Sequence, residues 1–283
     1  MKLPFSVDLQ GKVAVVTGGG GVLCSAFAKA LAACGASVAV LDIQLEAAEK
    51  VASEIREEGG KALAVAANVL ERASLDAACA EVTAKFGSCD ILINGAGGNN
   101  PRGTTDDEML DPATLGQEGL RTFFDLDPSG IRFVFDLNCL GTLLTTQAFA
   151  KGMVGRKGAC ILNVSSMNAY RPLTKIPAYS AAKAAVSNLT QWLAVYFAKS
   201  GIRVNAMAPG FFVTNQNRGL LFNAEGKPSA RADKILRGTP MGRFGEAEEL
   251  LGTLLWLVSS EGAGFVTGVV VPVDGGFSAY SGV

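Results

Sequence analysis

The sequence predicts one α/β domain built on a doubly wound parallel sheet. Short apolar runs alternate with longer stretches rich in Ala, Leu, Glu and Lys, which is the pattern of repeated β-α-β units. Several runs, such as the one at 13–16, are apolar without interruption, and such strands are covered by helices on both faces. At 283 residues the chain suits a single large domain, and no break in composition divides it.

The order of the elements follows from these patterns and from the glycines that end them. Gly35 and the pair Gly59-Gly60 come directly after the first two helical stretches, where glycine commonly ends a helix. The predicted strands are Val13–Thr17, Ser37–Leu41, Ala62–Ala67, Asp90–Asn94, Cys160–Val164, Ile202–Ala208 and Val269–Val273. The predicted helices end at Ala33 for the first and cover Leu45–Glu58, Ala73–Phe86, Ile131–Met153, Tyr179–Lys199 and Glu246–Val258 for the others.

Two segments, Gly97–Gly130 and Gly210–Arg231, show neither pattern. Each follows a strand, and ligands of doubly wound sheets bind beyond the carboxyl ends of the strands. Loops of this length are uncommon unless they serve a function. We therefore expect both segments to be substrate loops at the ligand-binding edge.

The composition excludes several classes of function. The formal net charge is −1, so there is no basic excess to bind a nucleic acid. The chain has no histidine, which removes imidazole-based triads and zinc sites, and we expect no metal site. Another side chain must therefore move protons near neutral pH.

The cysteines and the N-terminal residues predict the compartment. The six cysteines lie scattered among apolar residues without a C-x-x-C motif, as in a protein of a reducing compartment. Residues 1–11 lack the apolar core of a signal peptide, and no apolar run reaches the roughly 18 residues of a membrane span. We expect a cytoplasmic protein with no membrane partner.

A dinucleotide-binding turn is predicted where the first strand meets the first helix. Thr17 precedes four glycines, Gly18 to Gly21, which let a pyrophosphate approach the N–H groups of a helix start. Asp42 ends the second strand, where a carboxylate accepts both hydroxyls of the adenosine ribose and repels a 2′-phosphate. No Arg or Lys follows within three residues, so NAD(H) is favoured over NADP(H). The alternatives are a merely flexible turn and an Asp42 that only caps the next helix.

Tyr179 and Lys183 are the candidates for proton transfer. Their spacing places both side chains on one face of a helix. A phenol has a pKa of about 10, and a neighbouring ammonium favours the phenolate. We therefore expect Lys183 to lower the pKa of Tyr179. The Y-x-x-x-K pattern alone is weak evidence, and two surface residues are the alternative.

The surroundings of this pair make the pattern specific. Ser166 lies thirteen residues before Tyr179 and follows a strand. Further motifs stand at the ends of the predicted strands and in the long central helix, namely Asn94-Gly95-Ala96-Gly97, Asn138 and Pro209-Gly210. Together these motifs resemble the short-chain dehydrogenase/reductase family, and the resemblance covers the chain from Val13 to Val273.

The resemblance implies a Rossmann-type, NAD(H)-dependent enzyme that acts on a secondary alcohol or a ketone. It implies that Tyr179 exchanges a proton with the substrate oxygen, that Ser166 hydrogen-bonds this oxygen, and that Lys183 holds the nicotinamide ribose. Asn138 would support a water relay to solvent. Ser165 could be the catalytic serine instead, although the spacing disfavours it, and Asn138 could be a buried polar group of its helix.

The same resemblance implies the remaining cofactor contacts. It places Asn68-Val69 near adenine, Asn94 and Ala96 near the adenosine ribose, and Pro209-Gly210 with Thr214 near the nicotinamide amide. The predicted cofactor-binding residues are Gly18, Gly20, Gly21, Val22, Leu23, Asp42, Ile43, Asn68, Val69, Asn94, Ala96, Gly97, Tyr179, Lys183, Pro209, Gly210 and Thr214.

Two departures from the family pattern concern the cofactor. Val22 and Cys24 stand where the motif T-G-x-x-x-G-x-G has glycine, and Gly21 precedes the expected position by one. The close approach then falls to Gly20 or Gly21, with a displaced helix start. Asn68 replaces the usual acidic residue near adenine but still offers an amide.

The polar loops predict a polyhydroxylated anion as the substrate. Amides and arginines cluster at 99–102, 168–171 and 215–218, and a guanidinium binds a carboxylate through two hydrogen bonds. For each arginine, a solvated loop charge or a structural ion pair is the alternative. The predicted substrate-binding residues are Asn99, Asn100, Arg102, Ser166, Asn168, Arg171, Tyr179 and Asn217.

Within the family, these stretches and the C-terminal ending resemble the D-mannonate oxidoreductase (fructuronate reductase) branch. That resemblance implies NADH-dependent interconversion of D-fructuronate and D-mannonate. Other hypotheses are a different sugar or polyol dehydrogenase, a 3-oxoacyl-thioester reductase, and an NAD(H)-sensing binding protein without turnover. The complete set of four catalytic candidates disfavours the sensor, and Asp42 with the polar loops disfavours the thioester reductase.

The assembly is predicted from the helix that carries Tyr179. Tyr179–Lys199 is apolar almost all round, and one face of a sheet cannot bury such a helix. The family resemblance implies that this helix and Ile131–Met153 form a contact between subunits. We expect a homotetramer.

Overall fold

The computed structural model describes residues 7–214, 218–223 and 225–282. Within these residues, seven parallel strands form one sheet in the order β3-β2-β1-β4-β5-β6-β7. The strands are β1 (Val13–Thr17), β2 (Ser37–Asp42), β3 (Lys61–Ala66), β4 (Ile91–Asn94), β5 (Cys160–Val164), β6 (Arg203–Pro209) and β7 (Val270–Val273). The predicted doubly wound α/β fold is confirmed, and each strand lies within one residue of its predicted bounds.

Helices connect the strands and cover both faces of the sheet. Their bounds are α1 (Val22–Ala33), α2 (Leu45–Glu57), α3 (Arg72–Phe86), α4 (Pro128–Phe135), α5 (Gly141–Ala150), α6 (Pro177–Phe197), α7 (Arg218–Leu221), α8 (Ala230–Gly238) and α9 (Leu251–Val258). A π-helical turn, Asp136–Leu140, joins α4 to α5. The long helix predicted over Ile131–Met153 is therefore continuous but contains an irregular turn, a feature that often marks a functional site.

The two expected substrate loops contain more regular structure than their sequences predicted. In the first, α4 begins at Pro128 because the Asp127 side chain caps it by accepting a hydrogen bond from the Ser129 N–H group. In the second, the prediction of an irregular segment was wrong, because it contains α7 and the start of α8. Ser229 caps α8 by accepting a hydrogen bond from the Ala232 N–H group.

The strand order reverses between β1 and β4. Strands β2 and β3 lie on one side of β1, and β4 to β7 lie on the other. A crevice opens at such a switch point, beyond the carboxyl ends of the two diverging strands. The glycine turn after Thr17 and the segment after Asn94 therefore face the same crevice.

Two apolar cores cover the sheet. Phe27 of α1 and Leu254 of α9 pack on one face, and Phe149 of α5 and Leu193 of α6 pack on the other. Burial on both faces explains why the strands read as unbroken apolar runs. In the described part of the chain, no helix has the length and apolar character needed to cross a membrane.

A buried carboxylate fixes the amino-terminal edge of the sheet. Asp90 precedes β4 and is 2% exposed. Its Oδ2 atom accepts a hydrogen bond of 2.9 Å from the Val13 N–H group, and its Oδ1 atom accepts one of 2.9 Å from Arg156 Nε. Asp90 therefore joins the start of β1 to the segment that leads into β5.

We expect Asp90→Ala to lower the free energy of unfolding by about 2–4 kcal/mol, because it leaves a buried N–H group and a guanidinium without their acceptor. Urea denaturation followed by circular dichroism measures the loss. Glu57→Ala, at an exposed carboxylate of α2, is the matched control and should change stability little. An Asp90→Ala midpoint equal to that of the control would contradict the role of Asp90.

Candidate active site

Three predicted catalytic side chains meet at the carboxyl end of β5. Ser166 caps a one-turn 3₁₀ helix, Met167–Ala169, that follows the strand. Tyr179 and Lys183 lie one turn apart near the start of α6. The Ser166 hydroxyl is close enough to Tyr179 to lower the pKa of its phenol, and the Lys183 Nζ atom lies 5.7 Å from the centroid of the Tyr179 ring. The structure thus brings these three residues together.

The ammonium group of Lys183 is buried beside the end of the strand. The residue is 4% exposed, and its Nζ atom donates a hydrogen bond of 2.8 Å to the carbonyl oxygen of Val164. Burial lowers the pKa of Lys183 to about 8, and the nearby Cys24 thiol acts in the opposite direction. Lys183 therefore remains mostly charged at neutral pH.

The phenol of Tyr179 differs from the expectation. Its side chain is only partly buried, yet burial raises the pKa of Tyr179 to about 12, and the hydrogen bond to Ser166 acts in the opposite direction. The prediction that Lys183 lowers this pKa was wrong, because the cost of desolvating a phenolate is the largest effect and raises the pKa. Tyr179 stays protonated near neutral pH, which is the form that can donate a proton.

The neighbouring serine, Ser165, points to a different part of the molecule. Its Oγ atom lies 2.7 Å from Ser187 Oγ and donates to the carbonyl oxygen of Lys183 at 3.2 Å. These contacts hold β5 against α6. Ser166 is therefore the serine that reaches Tyr179.

Asn138 lies in the π-helical turn and is 1% exposed. Its Nδ2 atom donates 2.7 Å hydrogen bonds to the carbonyl oxygens of Gly98 and Val134, and its Oδ1 atom accepts one from the Gly98 N–H group. A Cβ atom at Gly97 would lie 2.6 Å from Asn138 Oδ1 and 3.1 Å from Lys183 Nζ. Asn138 is thus a buried polar group of its helix, and it also lies near Lys183.

The glycine turn leaves no room for side chains. Gly18 has a φ of +64°, a conformation that favours glycine. A Cβ atom at Gly20 would lie 2.6 Å from the Cβ atom of Ala47. Helix α1 starts at Val22 with Gly21 before it, and no side chain caps it. The N–H groups of its first turn, including that of Leu23, are therefore available to an anion.

Asp42 ends β2 and faces this turn. Its Oδ2 atom accepts a hydrogen bond of 3.0 Å from the Gly20 N–H group, and its Oδ1 atom accepts one from the Gln44 N–H group. Asp42 thus orders the turn and also supports the start of α2. Ile43, the next residue, is 68% exposed and offers an apolar surface beside the carboxylate.

The segment after β4 is held by a residue that the sequence analysis did not single out. Thr17 Oγ1 accepts hydrogen bonds from the N–H groups of Gly95 and Ala96, at 3.1 and 3.2 Å. The Asn94 side chain instead points into the protein and donates to Asn163 Oδ1 at 2.8 Å. Of the two predicted ribose contacts, Ala96 lies at the crevice, while the Asn94 amide is used to join two strands.

The residues predicted near adenine form a turn after β3. The Asn68 amide donates to Glu71 Oε1 at 2.8 Å, and its carbonyl oxygen accepts the Leu70 N–H group. Val69 is 6% exposed and packs against Gly141. The Asn68 amide is therefore already paired within the protein.

The residues predicted near the nicotinamide follow β6. Pro209 is its last residue, and the Gly210 N–H group donates to the carbonyl oxygen of Val273 at 2.9 Å. A Cβ atom at Gly210 would lie 2.6 Å from Asp274, so this turn packs on the C-terminal segment. Thr214 precedes the gap in the described chain, and Asn217 lies outside the described residues.

Three predicted substrate residues of the first loop have partners within that loop. Asn99 Nδ2 donates to Thr104 Oγ1 at 3.0 Å. Asn100 Oδ1 accepts the N–H group of Arg102, whose guanidinium lies 3.6 Å from Asp127. The ion pair considered as the alternative for Arg102 is therefore present.

Arg171 binds the C-terminal segment. Its Nε atom donates to the carbonyl oxygen of Ser278 at 3.1 Å, and the neighbouring Tyr170 hydroxyl donates to the carbonyl oxygen of Val270 at 2.8 Å. Arg171 therefore has a structural partner although it lies between two catalytic candidates in sequence. Sequence proximity did not show the direction of its side chain.

Asn168 is 4% exposed, and its N–H group donates to Ser166 Oγ at 3.2 Å. Its buried Oδ1 atom has no hydrogen-bond partner among the described residues. The Asn168 side chain thus lies next to the site but is not exposed to it.

A glycine turn at a switch point, a carboxylate on the adjacent strand and a Ser-Tyr-Lys group at the crevice define a dinucleotide-dependent oxidoreductase. Residues 12–221 match the family model described as short chain dehydrogenase. The chain belongs to the short-chain dehydrogenase/reductase family.

Close relatives extend over the whole chain. An uncharacterised oxidoreductase of Haemophilus influenzae is 61% identical over 283 residues, covering 100% of this chain and 99% of the relative. An uncharacterised oxidoreductase of Bacillus subtilis named UxuB is 53% identical over 281 residues, covering 99% and 100%. A crystal structure with bound NAD from Haemophilus influenza, whose assignment as a D-mannonate oxidoreductase is provisional, has 62% identity and a TM-score of 0.94, covering 98% of each chain.

The burial of Lys183 predicts a pH-dependent stability. Burial lowers its pKa from 10.5 to about 8, so between these values the unfolded chain binds more protons than the folded one, and the folded form gains stability as pH rises. The free energy of unfolding of the wild type relative to Lys183→Met should therefore increase over this pH range. Urea denaturation at several pH values measures the difference.

The control for this prediction is Lys199→Met, at an exposed lysine that follows α6. Its stability relative to the wild type should not change over the same range. A flat difference for Lys183→Met as well would show that the Lys183 ammonium is not desolvated.

Proposed function

We propose that this oxidoreductase uses NAD(H) to interconvert a secondary alcohol and a ketone on a sugar acid, with D-mannonate and D-fructuronate as the pair. The observation that carries the chemistry is the meeting of Ser166, Tyr179 and Lys183 beside the switch-point crevice. The provisional assignment of the Haemophilus structure supports the substrate.

The crevice fits a dinucleotide. A Cβ atom at Gly19 or Gly20 would lie 2.6 Å from a neighbouring side chain, the start of α1 is uncapped, and Asp42 stands at the end of the neighbouring strand. These groups would hold a pyrophosphate and the adenosine ribose, with Ile43 beside the adenine. Lys183 would hold the nicotinamide ribose. Bound NAD(H) supplies or accepts the hydride.

The protein supplies the proton. Tyr179 is a neutral phenol near neutral pH and donates its proton to the substrate oxygen during reduction, so that a hydroxyl forms on the substrate and a phenolate remains. The charged Lys183 stabilises this phenolate. Ser166 holds the substrate oxygen, and Asn138 orders the backbone at Gly98 next to Lys183. In the oxidative direction Tyr179 first releases its proton to solvent, and the resulting phenolate, stabilised by Lys183, accepts the proton of the substrate hydroxyl.

The carboxylate of the substrate needs a cation. Arg102 is paired with Asp127, and Arg171 is bound to Ser278. Arg218 is exposed at the start of α7, four residues after Thr214, within the segment that the sequence predicts to be a substrate loop. We assign the carboxylate contact to Arg218.

The substrate test is an assay of purified protein with D-fructuronate and NADH, and with D-mannonate and NAD. We expect turnover in both directions and much slower turnover with neutral ketoses. Faster reduction of a 3-oxoacyl thioester, or cofactor binding without reduction of any hexuronate, would overturn the proposal.

Tyr179→Phe should abolish turnover, because it removes only the proton donor, while the Kd for NADH stays within about threefold of the wild type. Stopped-flow absorbance measures turnover, and fluorescence titration measures the Kd. Tyr280→Phe, at an exposed tyrosine near the C-terminus, is the matched control and should keep full activity. A strong loss of NADH binding in Tyr179→Phe would show that the residue is misassigned.

The charge of Asp42 should set the preference for NADH. Asp42→Asn keeps an acceptor for the Gly20 N–H group but removes the repulsion of a 2′-phosphate, so the ratio of kcat/KM for NADH over NADPH should fall by about tenfold or more. Asp42→Ala, which also removes the acceptor, should in addition weaken NADH itself. An unchanged ratio in both variants would exclude the ribose role.

We propose a homotetramer as the active form. Helix α6 exposes three large side chains, namely Trp192 (58% exposed), Val195 (80%) and Tyr196 (66%). The rings of Trp192 and Tyr196 stack, with their centroids 4.8 Å apart. An apolar surface of this kind commonly forms a subunit contact. Sedimentation velocity at micromolar concentration should show a tetramer that Val195→Glu disrupts and Lys199→Glu does not, whereas a monomeric wild type would contradict the assembly.

A further inference from the structure

Cys24 replaces a glycine of the family's dinucleotide motif, and the structure shows where its thiol goes. Cys24 is 6% exposed in the first turn of α1. A Cβ atom built on Gly95 would overlap the Cys24 Sγ atom. The thiol therefore lies directly against the backbone at Gly95, in space that no other amino acid at position 95 would leave free.

The backbone that the thiol touches continues to the catalytic lysine. The N–H groups of Gly95 and Ala96 are held by Thr17, and a Cβ atom at Gly18 would lie 3.0 Å from Ala96 Cα. At the far end, a Cβ atom at Gly97 would meet Lys183 Nζ at 3.1 Å. Residues 95–97 thus form a strip that is in contact with the thiol at one end and with the ammonium at the other.

The thiol is a neutral packing group. Burial raises the pKa of Cys24 to about 12, while Lys183 acts to lower it and Asp42 acts to raise it. The two charged groups that affect the pKa of Cys24 therefore belong to the two halves of the site: Asp42 stands beside the glycine turn, and Lys183 stands beside Tyr179. The thiol is therefore buried and uncharged, and its contact is with the backbone at Gly95.

We propose that Cys24 is a positioning residue that is coupled to Gly95. Its thiol sets the position of the 95–97 strip between the glycine turn and Lys183, and it keeps this side of the ammonium dry. A side chain larger than a hydrogen atom fits at position 24 because residue 95 is a glycine. The part of this inference that concerns NADH binding and the pH profile rests on the proposed function, whereas the packing of Cys24 on Gly95 does not.

A double-mutant cycle tests the coupling, with Gly95→Ala, Cys24→Gly and the double variant. The readouts are the melting temperature of the protein without cofactor and the Kd for NADH by fluorescence titration. We expect Gly95→Ala to weaken NADH binding by about tenfold or more in the wild type and by a clearly smaller factor in the Cys24→Gly background, where only the Thr17 carbonyl oxygen still crowds the new Cβ atom. The Thr17 carbonyl oxygen lies 2.8 Å from the same Cβ position in both backgrounds, so the difference isolates the thiol.

The positioning role is tested by the pH profile of kcat/KM. In Cys24→Gly, water reaches the lysine, so the pKa of Lys183 should rise and the alkaline limb of the profile should move to higher pH. Cys24→Ser, which keeps the size of the side chain, should retain a limb closer to that of the wild type. Gly252→Ala on α9, where a Cβ atom meets nothing within 4 Å, is the control and should change neither the Kd nor the profile.

Equal losses from Gly95→Ala in both backgrounds would overturn the coupling. An unshifted alkaline limb in Cys24→Gly would overturn the positioning role. If Gly95→Ala fails to fold, recovery of folded protein in the double variant supports the coupling, and failure of both variants overturns it. Wild-type protein that binds no NADH would refute the proposed function, and the melting temperatures would still decide the coupling.

Discussion

The site depends on keeping one ammonium group charged inside the protein. Transferring a charge from water to a protein interior is costly unless partners replace the lost water. Lys183 has the carbonyl oxygen at the end of β5 as its acceptor, and its lowered pKa shows that this partner offsets only part of the cost. The surrounding structure, including the missing side chain at Gly97, must therefore fit closely around this group.

The parallel topology creates the edge at which this fit is possible. All strands end at the same side of the sheet, so the residues after β1, β4 and β5 come together although they are far apart in sequence. The crevice between β1 and β4 separates a turn without side chains from the Ser-Tyr-Lys group. Because both face one crevice, a single backbone strip, residues 95–97, contacts the glycine turn at one end and Lys183 at the other.

The fold was predictable because its signals are local. Unbroken apolar runs fix the strands, and the glycines at Gly35 and Gly59 mark the helix ends. Helix α8 also has a local signal, since Ser229 is a helix cap, but its surroundings were interpreted as loop. The π-helical turn has no such signal, because the sequence continues a helical pattern through Asn138.

The meeting of Ser166, Tyr179 and Lys183 was predictable for a related reason, since these residues lie at fixed spacings on regular elements. Ser166 and Tyr179 face each other because a strand end and a helix start direct them. The polar loop residues were less predictable, because an Asn or Arg in a loop can serve the backbone as readily as a ligand. Arg171 shows this, with its guanidinium on a main-chain oxygen of the C-terminal segment.

The value of the Tyr179 pKa could not be predicted from spacing. Burial raises this pKa and the Ser166 hydroxyl lowers it, and only the structure shows that burial has the larger effect. The result suits both directions of the reaction. For reduction, a neutral phenol can donate its proton to a ketone. For oxidation a phenolate is needed, and a cation bound in the crevice would stabilise this phenolate.

The departures from the family motif can be understood only in three dimensions. A glycine motif describes where the chain must have no side chain, but the requirement belongs to a point in space and not to a position in sequence. The space between α1 and the 95–97 strip can be kept free by a glycine on the helix or by a glycine on the strip. This chain has the second arrangement, with Cys24 on the helix and Gly95 on the strip. A missing motif glycine is therefore no evidence against the dinucleotide site when a facing residue gives up the same volume.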